Sequence, residues 1–308
     1  MNKKNTIYLV VGIVFLLFCL YLIVPPVWQL KQKEILIKRF YKGNSDPVIV
    51  KIGPSTSDWV SINNVSKHFI NAIVVAEDSR FYMHYGIDII EILNSLKLNI
   101  KTKRYVRGAS TITQQVVRVI FLSSKKTLWR KIREIFGALI LEKILTKQEI
   151  LEWYINIVKF GNNIYGIKKA AYYYFNTHPE FLTIEQSIHL ALILPSPNLW
   201  SSGLRRQNLT DFGHKRFTVI AHNMKQSGYI TKEQFLTVLA RGNFGQPVKG
   251  YDDIYQAHIL GNNYNKYIFS TKEEEIMHQD EDKHYKLLEE NYSEDNVKED
   301  IKNNCQED

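Results

Sequence analysis

The sequence predicts a mainly α-helical domain behind a single N-terminal transmembrane helix. An uncharged apolar run from Ile7 to Val24 has 18 residues, which is the short end of the length that crosses a bilayer as a helix. From Val65 onward, apolar residues recur with the period of a helix, and few segments show the alternation of a strand. An anchor followed by helices therefore accounts for most of the chain.

The apolar run is predicted to be an uncleaved anchor rather than a cleaved signal peptide. It is longer than the apolar core of a signal peptide, and it ends in Pro25 and Pro26 instead of a small-residue cleavage site. Tyr21 and Trp28 suit a membrane interface. Basic residues flank the run on both sides, so the positive-inside rule leaves its orientation open.

Shifts in composition divide the chain into five segments. After the anchor, the charged segment 29–41 is predicted as a short helix or stalk, and the Gly and Pro residues of 42–59 are typical of one short strand or an extended linker. After about Gly250 the helical period is lost while charge and Asn rise, as in a disordered tail. The predicted segments are a short tail (1–6), the anchor (7–24), the stalk or linker (25–58), the helical domain (59–245) and an acidic, disordered extension (246–308).

Capping boxes mark three helix starts inside the helical domain. Each is a Thr followed three residues later by Glu or Gln, so that both side chains bond to free backbone N–H groups. The pairs are Thr146 with Glu149, Thr183 with Gln186, and Thr231 with Gln234. Between 128 and 145, apolar residues at 128, 132, 135, 136, 139 and 145 share one face of a predicted helix.

The charge of the chain is unevenly spread. The formal net charge is +9, yet residues 270–308 hold 14 acidic against 5 basic residues, and this balance of −9 leaves +18 on the rest. A body that basic favours an anionic partner: nucleic acid, anionic lipid or a phosphorylated substrate. The two cysteines, Cys19 and Cys305, form neither a disulfide framework nor a metal-binding spacing.

Glu77 and Asp78 form the first candidate for chemistry. They follow the apolar stretch 72–76, and both burial and a neighbouring like charge raise the pKa of a carboxyl group towards that of a useful general base. The competing interpretation is a solvated acidic pair at a helix end, which is the commoner fate of such pairs. His84, taken alone, is likewise more typical of a structural histidine.

Two further clusters could bind an anion. Residues 107–118 combine a Gly, hydroxyls, amides and a cation that could hold phosphate or sugar oxygens; a polar helix start capped by Ser110 or Thr111 explains them equally well. Arg130 and Glu134 share a helix face four residues apart. They could form a surface pair worth about 0.5 kcal/mol, or a carboxylate flanked by cations that holds a diphosphate.

In this order the segments resemble glycosyltransferase family 51, the peptidoglycan glycosyltransferases, over roughly residues 59–240. The family's first motif, E-D-x-x-F-x-x-H-x-G, is matched by Glu77, Asp78, Phe81, His84 and Gly86. Its second, G-x-S-T-x-T-Q-Q-x-x-K-N, is matched by Gly108, Ser110, Thr111, Thr113, Gln114 and Gln115. Its third, R-K-x-x-E, is matched by Arg130, Lys131 and Glu134.

The chain departs from the family pattern in two respects. Arg118 and Val119 stand where the family has Lys-Asn, so the charge is kept and a polar side chain is lost. No transpeptidase signature is found either: Ser123 to Lys126 matches S-x-x-K by letters, but no K-T-G follows. The resemblance is therefore to the monofunctional form.

The resemblance implies a lysozyme-like fold that polymerises lipid II into glycan strands, inverts the anomeric carbon and releases undecaprenyl diphosphate. It makes Glu77 the general base and Glu134 the residue that orients cations or helps to hold Mg²⁺ or Mn²⁺. It assigns substrate binding to Asp78, Phe81, His84, Gly86, Ser110, Thr111, Gln114, Gln115, Arg118, Arg130 and Lys131. The implied partners are lipid II, the growing lipid-linked glycan, the cytoplasmic membrane on its outer or periplasmic side, and other cell-wall synthesis proteins.

Three other functions compete with this one. A lytic transglycosylase or muramidase needs a general acid, because its leaving group is an alkoxide, and the cations around Glu134 favour a diphosphate instead. A membrane scaffold without turnover would agree with Val119 and the acidic tail. Nucleic-acid binding rests on charge alone and lacks a recognised module, so no nucleic acid is expected as a partner.

Overall fold

The computed structural model describes residues 8, 11, 12, 23–41, 46–102, 109–123, 125 and 127–260. Most of the predicted anchor, 7–24, lies outside these residues, as do Gly108 and everything after Leu260. In the part that is described, no helix combines the length and the apolar character needed to cross a membrane.

The described chain is mainly helical, as predicted. Four short strands form two antiparallel pairs: β1 (Ile35–Arg39) with β2 (Val48–Ile52), and β3 (Lys159–Gly161) with β4 (Ile164–Tyr165). The helices are α1 (Lys67–Glu77), α2 (Ile89–Thr102), α3 (Ile112–Phe121), α4 (Leu128–Ile144), α5 (Lys147–Ile157), α6 (Ile167–Phe175), α7 (Ile184–Leu192), α8 (Pro197–Arg206), α9 (Asp211–Gln226), α10 (Lys232–Arg241) and α11 (Tyr251–Ile259). Single 3₁₀ turns cover Val27–Lys31, Ile62–Asn64, Phe81–Met83 and Pro179–Phe181.

Two groups of helices build the core and meet at the end of α1. In the first, α1 packs on α7 and α9; in the second, α3 packs between α4 and α5. Of the apolar stretch 72–76, the first four residues are buried, including Ala72 and Ile73 with no exposed surface, and Ala76 is half-buried. The last residue of α1, Glu77, therefore lies where the two groups adjoin.

All three predicted capping boxes are present, with both reciprocal hydrogen bonds in each. A fourth begins α3, where the Thr111 hydroxyl accepts from the Gln114 backbone and the Gln114 side chain accepts from the Thr111 backbone. This settles the local structure at the second motif as a capped helix start.

The region 25–58, predicted as a stalk or linker, is folded in its described part. Ile35 and Ile37 of β1 and Ile52 of β2 are buried, and Trp153 of α5 donates to the Leu30 carbonyl at 3.2 Å. Alternation of buried and exposed residues along β1 gives this segment an apolar face that a linker would not need. The expected helix or stalk over 29–41 is thus replaced by a 3₁₀ turn and a strand.

The predicted helix over 128–145 exists as α4, yet the apolar face that predicted it is exposed. Leu128, Ile132, Phe136 and Leu139 all retain more than a third of their surface. The buried side of α4 holds Glu134, Gly137, Ala138 and Leu141, and of the predicted face Leu145 is buried just after the helix ends.

The compact unit of the main domain ends at Lys249, and a second unit begins at Gly250. The predicted disordered extension, 246–308, is helical at first, since α11 covers Tyr251–Ile259. Two acidic residues in its first turn favour a helix N-terminus, and the rings of Tyr251 and Tyr255 stack at 5.6 Å. The acidic part of the prediction lies outside the described residues.

Candidate active site

Glu77 ends α1 in a nearly closed environment, with its side chain 10% exposed. Its Oε2 accepts a hydrogen bond from the Gln115 side-chain amide at 3.0 Å. Its Oε1 is buried, accepts no hydrogen bond from the described residues and lies 4.0 Å from a guanidinium nitrogen of Arg216. Burial raises the pKa of Glu77, while Arg216, Gln115 and Arg118 oppose that shift and Asp78 adds to it. The interpretation of a solvated pair is therefore wrong, and burial rather than Asp78 is the main cause of the shift.

Asp78 is a structural carboxylate that fixes the start of α3. Its two oxygens lie 3.0 and 3.1 Å from His84 Nε2, and Oδ2 also accepts from the Ile112 backbone N–H at 3.0 Å. A carboxylate at a helix N-terminus satisfies a free N–H group and is favoured by the helix dipole. Asp78 and His84 thus connect the first motif to the second.

Gly86 adds a second connection between the same motifs. Its carbonyl accepts from the Thr111 hydroxyl at 2.7 Å. Its φ of +84° is a conformation that favours Gly, and a Cβ there would lie 2.7 Å from the Ala138 carbonyl oxygen of α4. Gly86 therefore lets the loop after α1 approach α3 and α4 closely.

Phe81 is fully buried and belongs to the support of this loop. The Lys147 ammonium lies 4.2 Å from the centre of its ring, and the same ammonium donates to the His84 carbonyl and to Glu142, each at 2.7 Å. Glu142 also accepts from the Thr113 hydroxyl at 2.6 Å. This buried network joins α3, α4 and α5 to the loop that carries the first motif.

The polar residues of α3 fall into two groups. Thr111 and Gln114 are buried in the capping box. Gln115 and Arg118 are half-buried, and Gln115 Oε1 lies 3.5 Å both from an Arg118 nitrogen and from the Tyr154 hydroxyl. The side-chain oxygen of Gln115 faces these two donors. Its NH₂ group consequently points towards Glu77 and can donate to it.

Glu134 and Lys131 form the third part of the site, on α4. The Lys131 ammonium donates to Glu134 Oε1 at 2.6 Å and to the Ser110 hydroxyl at 2.9 Å. Glu134 is 1% exposed, whereas Lys131 is 39% exposed. Ser110 immediately precedes the cap of α3. The middle of α3 therefore lies next to Glu77, and the start of α3 lies next to the Lys131 ammonium. Arg130 is half-buried on the same helix.

The contacts described above connect the residues of the three motifs, and the structure separates their roles. Buried supports are Asp78, Phe81, His84, Gly86, Thr111 and Gln114, which offer little surface to a substrate. Side chains that keep accessible surface are Glu77, Ser110, Gln115, Arg118, Arg130 and Lys131. Sequence reasoning missed Lys147, Tyr154 and Arg216 as parts of the site, because no local pattern places them near Glu77.

Two places could offer ligands to a divalent ion. Asp78, His84 and Asp88 have ligand atoms within 4.8 Å of one another, but Asp78 is bonded as described, and Asp88 pairs with Arg80 at 2.9 Å and accepts a backbone N–H. Glu134 Oε2, by contrast, is buried and makes no hydrogen bond among the described residues. A single carboxylate oxygen fits Mg²⁺ or Mn²⁺ when substrate phosphates and water supply the remaining ligands.

A nearly buried carboxylate with a raised pKa beside half-buried cations is the kind of arrangement that can activate a hydroxyl near an anionic leaving group. The chain belongs to the transglycosylase family, whose model matches residues 46–225. The match covers more than half of the chain and includes all the predicted site residues.

Named relatives agree with this family. The chain is 40% identical over 144 residues to a biosynthetic peptidoglycan transglycosylase of Nitrosomonas eutropha, covering 47% of this chain and 59% of that protein. It is 31% identical over 247 residues to penicillin-binding protein 1A of Escherichia coli, covering 79% of this chain and 29% of that protein. A third relative is penicillin-binding protein 1F of Bacillus subtilis, 37% identical over 59% of this chain and 25% of its own length. The chain spans less than two thirds of the length of each.

Proposed function

We propose that this protein is a peptidoglycan glycosyltransferase that polymerises lipid II into glycan strands and releases undecaprenyl diphosphate. The observation that carries the proposal is Glu77, a buried carboxylate with a raised pKa that contacts Gln115 and faces cations. The family membership and the names of the relatives support the same reaction.

In the proposed reaction, Glu77 removes the proton from the 4-hydroxyl of the incoming lipid-linked disaccharide. That oxygen attacks the anomeric carbon of the growing chain from the face opposite the diphosphate, which inverts the centre. The bond between the anomeric carbon and the diphosphate breaks, and its electron pair leaves with the diphosphate. Arg118, Arg130 and Lys131 would neutralise the departing charge.

Glu134 is suited to orienting Lys131 rather than to donating a proton. Its Oε1 accepts from the Lys131 ammonium at 2.6 Å, an arrangement typical of an ionised carboxylate. A bound Mg²⁺ or Mn²⁺ would add positive charge next to the diphosphate, and Glu134 Oε2 is the atom that would hold it. The pairing with Lys131 also argues against cleavage of a sugar–sugar bond, which requires a protonated acid.

The test is an assay of the purified chain with fluorescent lipid II in vesicles. We expect a polymer that a muramidase digests, and no soluble muropeptides when the chain is incubated with isolated cell wall. Release of muropeptides without polymer would identify a lytic enzyme. A folded chain that does neither would be a scaffold.

The proposed location is the outer, periplasmic side of the cytoplasmic membrane, with residues 7–24 as the anchor. Two contacts support it: the Arg133 side chain donates to the Ile23 carbonyl at 3.4 Å, and Pro25 packs against Gly137. The end of the predicted anchor therefore lies beside α4, whose apolar face is exposed. The helix α2 exposes apolar residues as well, and exposed apolar patches typically mark contact surfaces for membranes or proteins.

We expect a fluorophore on α4 to contact lipid. The label is placed on Ile132→Cys in a chain whose native cysteines are replaced by Ser, and vesicles contain lipids with a quencher in the acyl chain. Fluorescence should fall strongly at position 132 and stay unchanged for the control Lys232→Cys, on the exposed side of α10. Equal quenching at both positions would remove α4 from the proposed membrane face.

A further inference from the structure

Arg216 approaches the proposed base from the side opposite Gln115. It lies on α9, and its Nη2 is 4.0 Å from Glu77 Oε1, the oxygen that has no hydrogen bond within the described part of the chain. Gln115 of α3 donates to the other oxygen at 3.0 Å. The carboxylate is thus contacted from both groups of core helices.

Three helices fix the position of Arg216. Its Nε donates to the Leu192 carbonyl at the end of α7, at 3.2 Å. Its guanidinium carbon lies 5.2 Å from the centre of the Trp200 ring on α8, and Trp200 packs on Phe212 with ring centres 4.7 Å apart. A guanidinium that stacks on an aromatic ring and bonds to a carbonyl is placed with little freedom.

We propose that Arg216 is a positioning residue that keeps Glu77 ionised and correctly oriented to accept the proton of the acceptor hydroxyl. The inference rests on the proposed function for its catalytic meaning. Arg216 itself need not touch the substrate: it acts through Glu77, with Trp200 holding it in place.

The charges around Glu77 show why such a residue is needed. Burial raises the pKa of Glu77, and among the groups that lower it Arg216 ranks ahead of Gln115 and Arg118. The other neighbours do not help: Asp78 raises it, and Tyr154 of α5 is a neutral hydroxyl whose own pKa is raised by burial. On α7, which packs on α1, His189 is neutral because burial lowers its pKa to about 3.

The first test compares the pH dependence of kcat/KM, which reports groups of the free enzyme. An opposite charge within about 4–6 Å lowers the pKa of a carboxyl group by roughly 1–3 units, and Arg216 is 20% exposed. In Arg216→Gln we therefore expect the acidic limb of the kcat/KM profile to move up by about one pH unit. The loss of kcat/KM should be about tenfold at pH values below that limb and should disappear at higher pH. Arg216→Lys keeps the charge, so the acidic limb of its kcat/KM profile should stay near that of the native enzyme.

Further variants separate this role from other roles of the arginine. Trp200→Leu loosens Arg216 without removing it and should move the limb in the same direction by less, which keeps the test informative where Arg216→Gln fails to fold. Arg241→Gln, an exposed arginine on α10, should leave the limb unchanged. A loss of kcat/KM that is the same at every pH would overturn the inference and assign Arg216 to scaffolding or to the diphosphate.

The second test is independent of turnover. In a double-mutant cycle at neutral pH, Arg216→Gln should lower the unfolding temperature of the native chain more than that of Glu77→Gln, because only the native chain leaves a buried charge unpaired. Equal losses in both backgrounds would refute the pairing. An inert native chain with clear coupling would refute the proposed function while the pairing stands.

Discussion

Replacing Glu77 with Gln should abolish glycan polymerisation while the domain stays folded. The amide has nearly the same shape and can still contact Gln115, but it cannot take a proton from the acceptor hydroxyl. General-base catalysis typically contributes about 10²–10⁴-fold, so the initial rate of polymer formation from fluorescent lipid II should fall by that factor. Glu180→Gln, an exposed carboxylate, serves as the matched control and should retain the native rate.

The same substitution should leave stability unchanged or increase it at neutral pH. The folded-state pKa of Glu77 is raised by burial, so ionisation is less favourable in the folded than in the unfolded chain. The resulting loss of stability is absent below the unfolded pKa of about 4.3, grows as the pH rises towards the folded pKa, and is constant above it. Urea unfolding of both proteins at pH 4 and pH 7 measures this difference. A Gln variant that is inactive because it is unfolded would contradict the prediction.

The helix starts and the candidate base could be predicted from the sequence, because the signals for them lie within a few neighbouring residues. A capping box needs only Thr and a Glu or Gln three residues apart, and all three predicted boxes formed. Glu77 was found because a buried apolar run precedes it. Val119 keeps 38% of its surface exposed, so the departure from the family pattern lies on the outside of α3.

What the sequence did not predict depends on tertiary contacts. The apolar face of α4 has the spacing of a core face, yet most of it is exposed, because a different side of the helix, with Glu134 and Leu141, packs against the domain. Periodicity alone cannot distinguish a face that meets protein from one that meets another apolar medium. Arg216 and Lys147 were missed for a related reason, since only folding brings them to the loop and base that they support.

Replacing Gly86 with Ala should destabilise the domain strongly, although Gly86 has no chemical group that takes part in the reaction. The site requires a φ of +84°, and an added Cβ would lie 2.7 Å from the Ala138 carbonyl oxygen, which is backbone of α4 and cannot rotate away. Left-handed strain of about 1–2 kcal/mol and overpacking of about 1–3 kcal/mol together predict a loss of roughly 2–5 kcal/mol. Urea unfolding measures it.

Gly228→Ala is the matched control, because Gly228 has a φ of +73° with no atom within 4 Å of the added Cβ. Only the backbone strain remains there, partly offset by the lower entropy of the unfolded chain, so the loss should be about 1 kcal/mol. The rate of polymerisation should also differ between the two variants, with the larger loss in Gly86→Ala. The Gly86 carbonyl accepts from the Thr111 hydroxyl at the start of α3, and a displaced α3 would carry Gln115 away from Glu77. Equal losses in both variants would mean that backbone conformation alone, rather than the close approach to α4, makes Gly86 necessary.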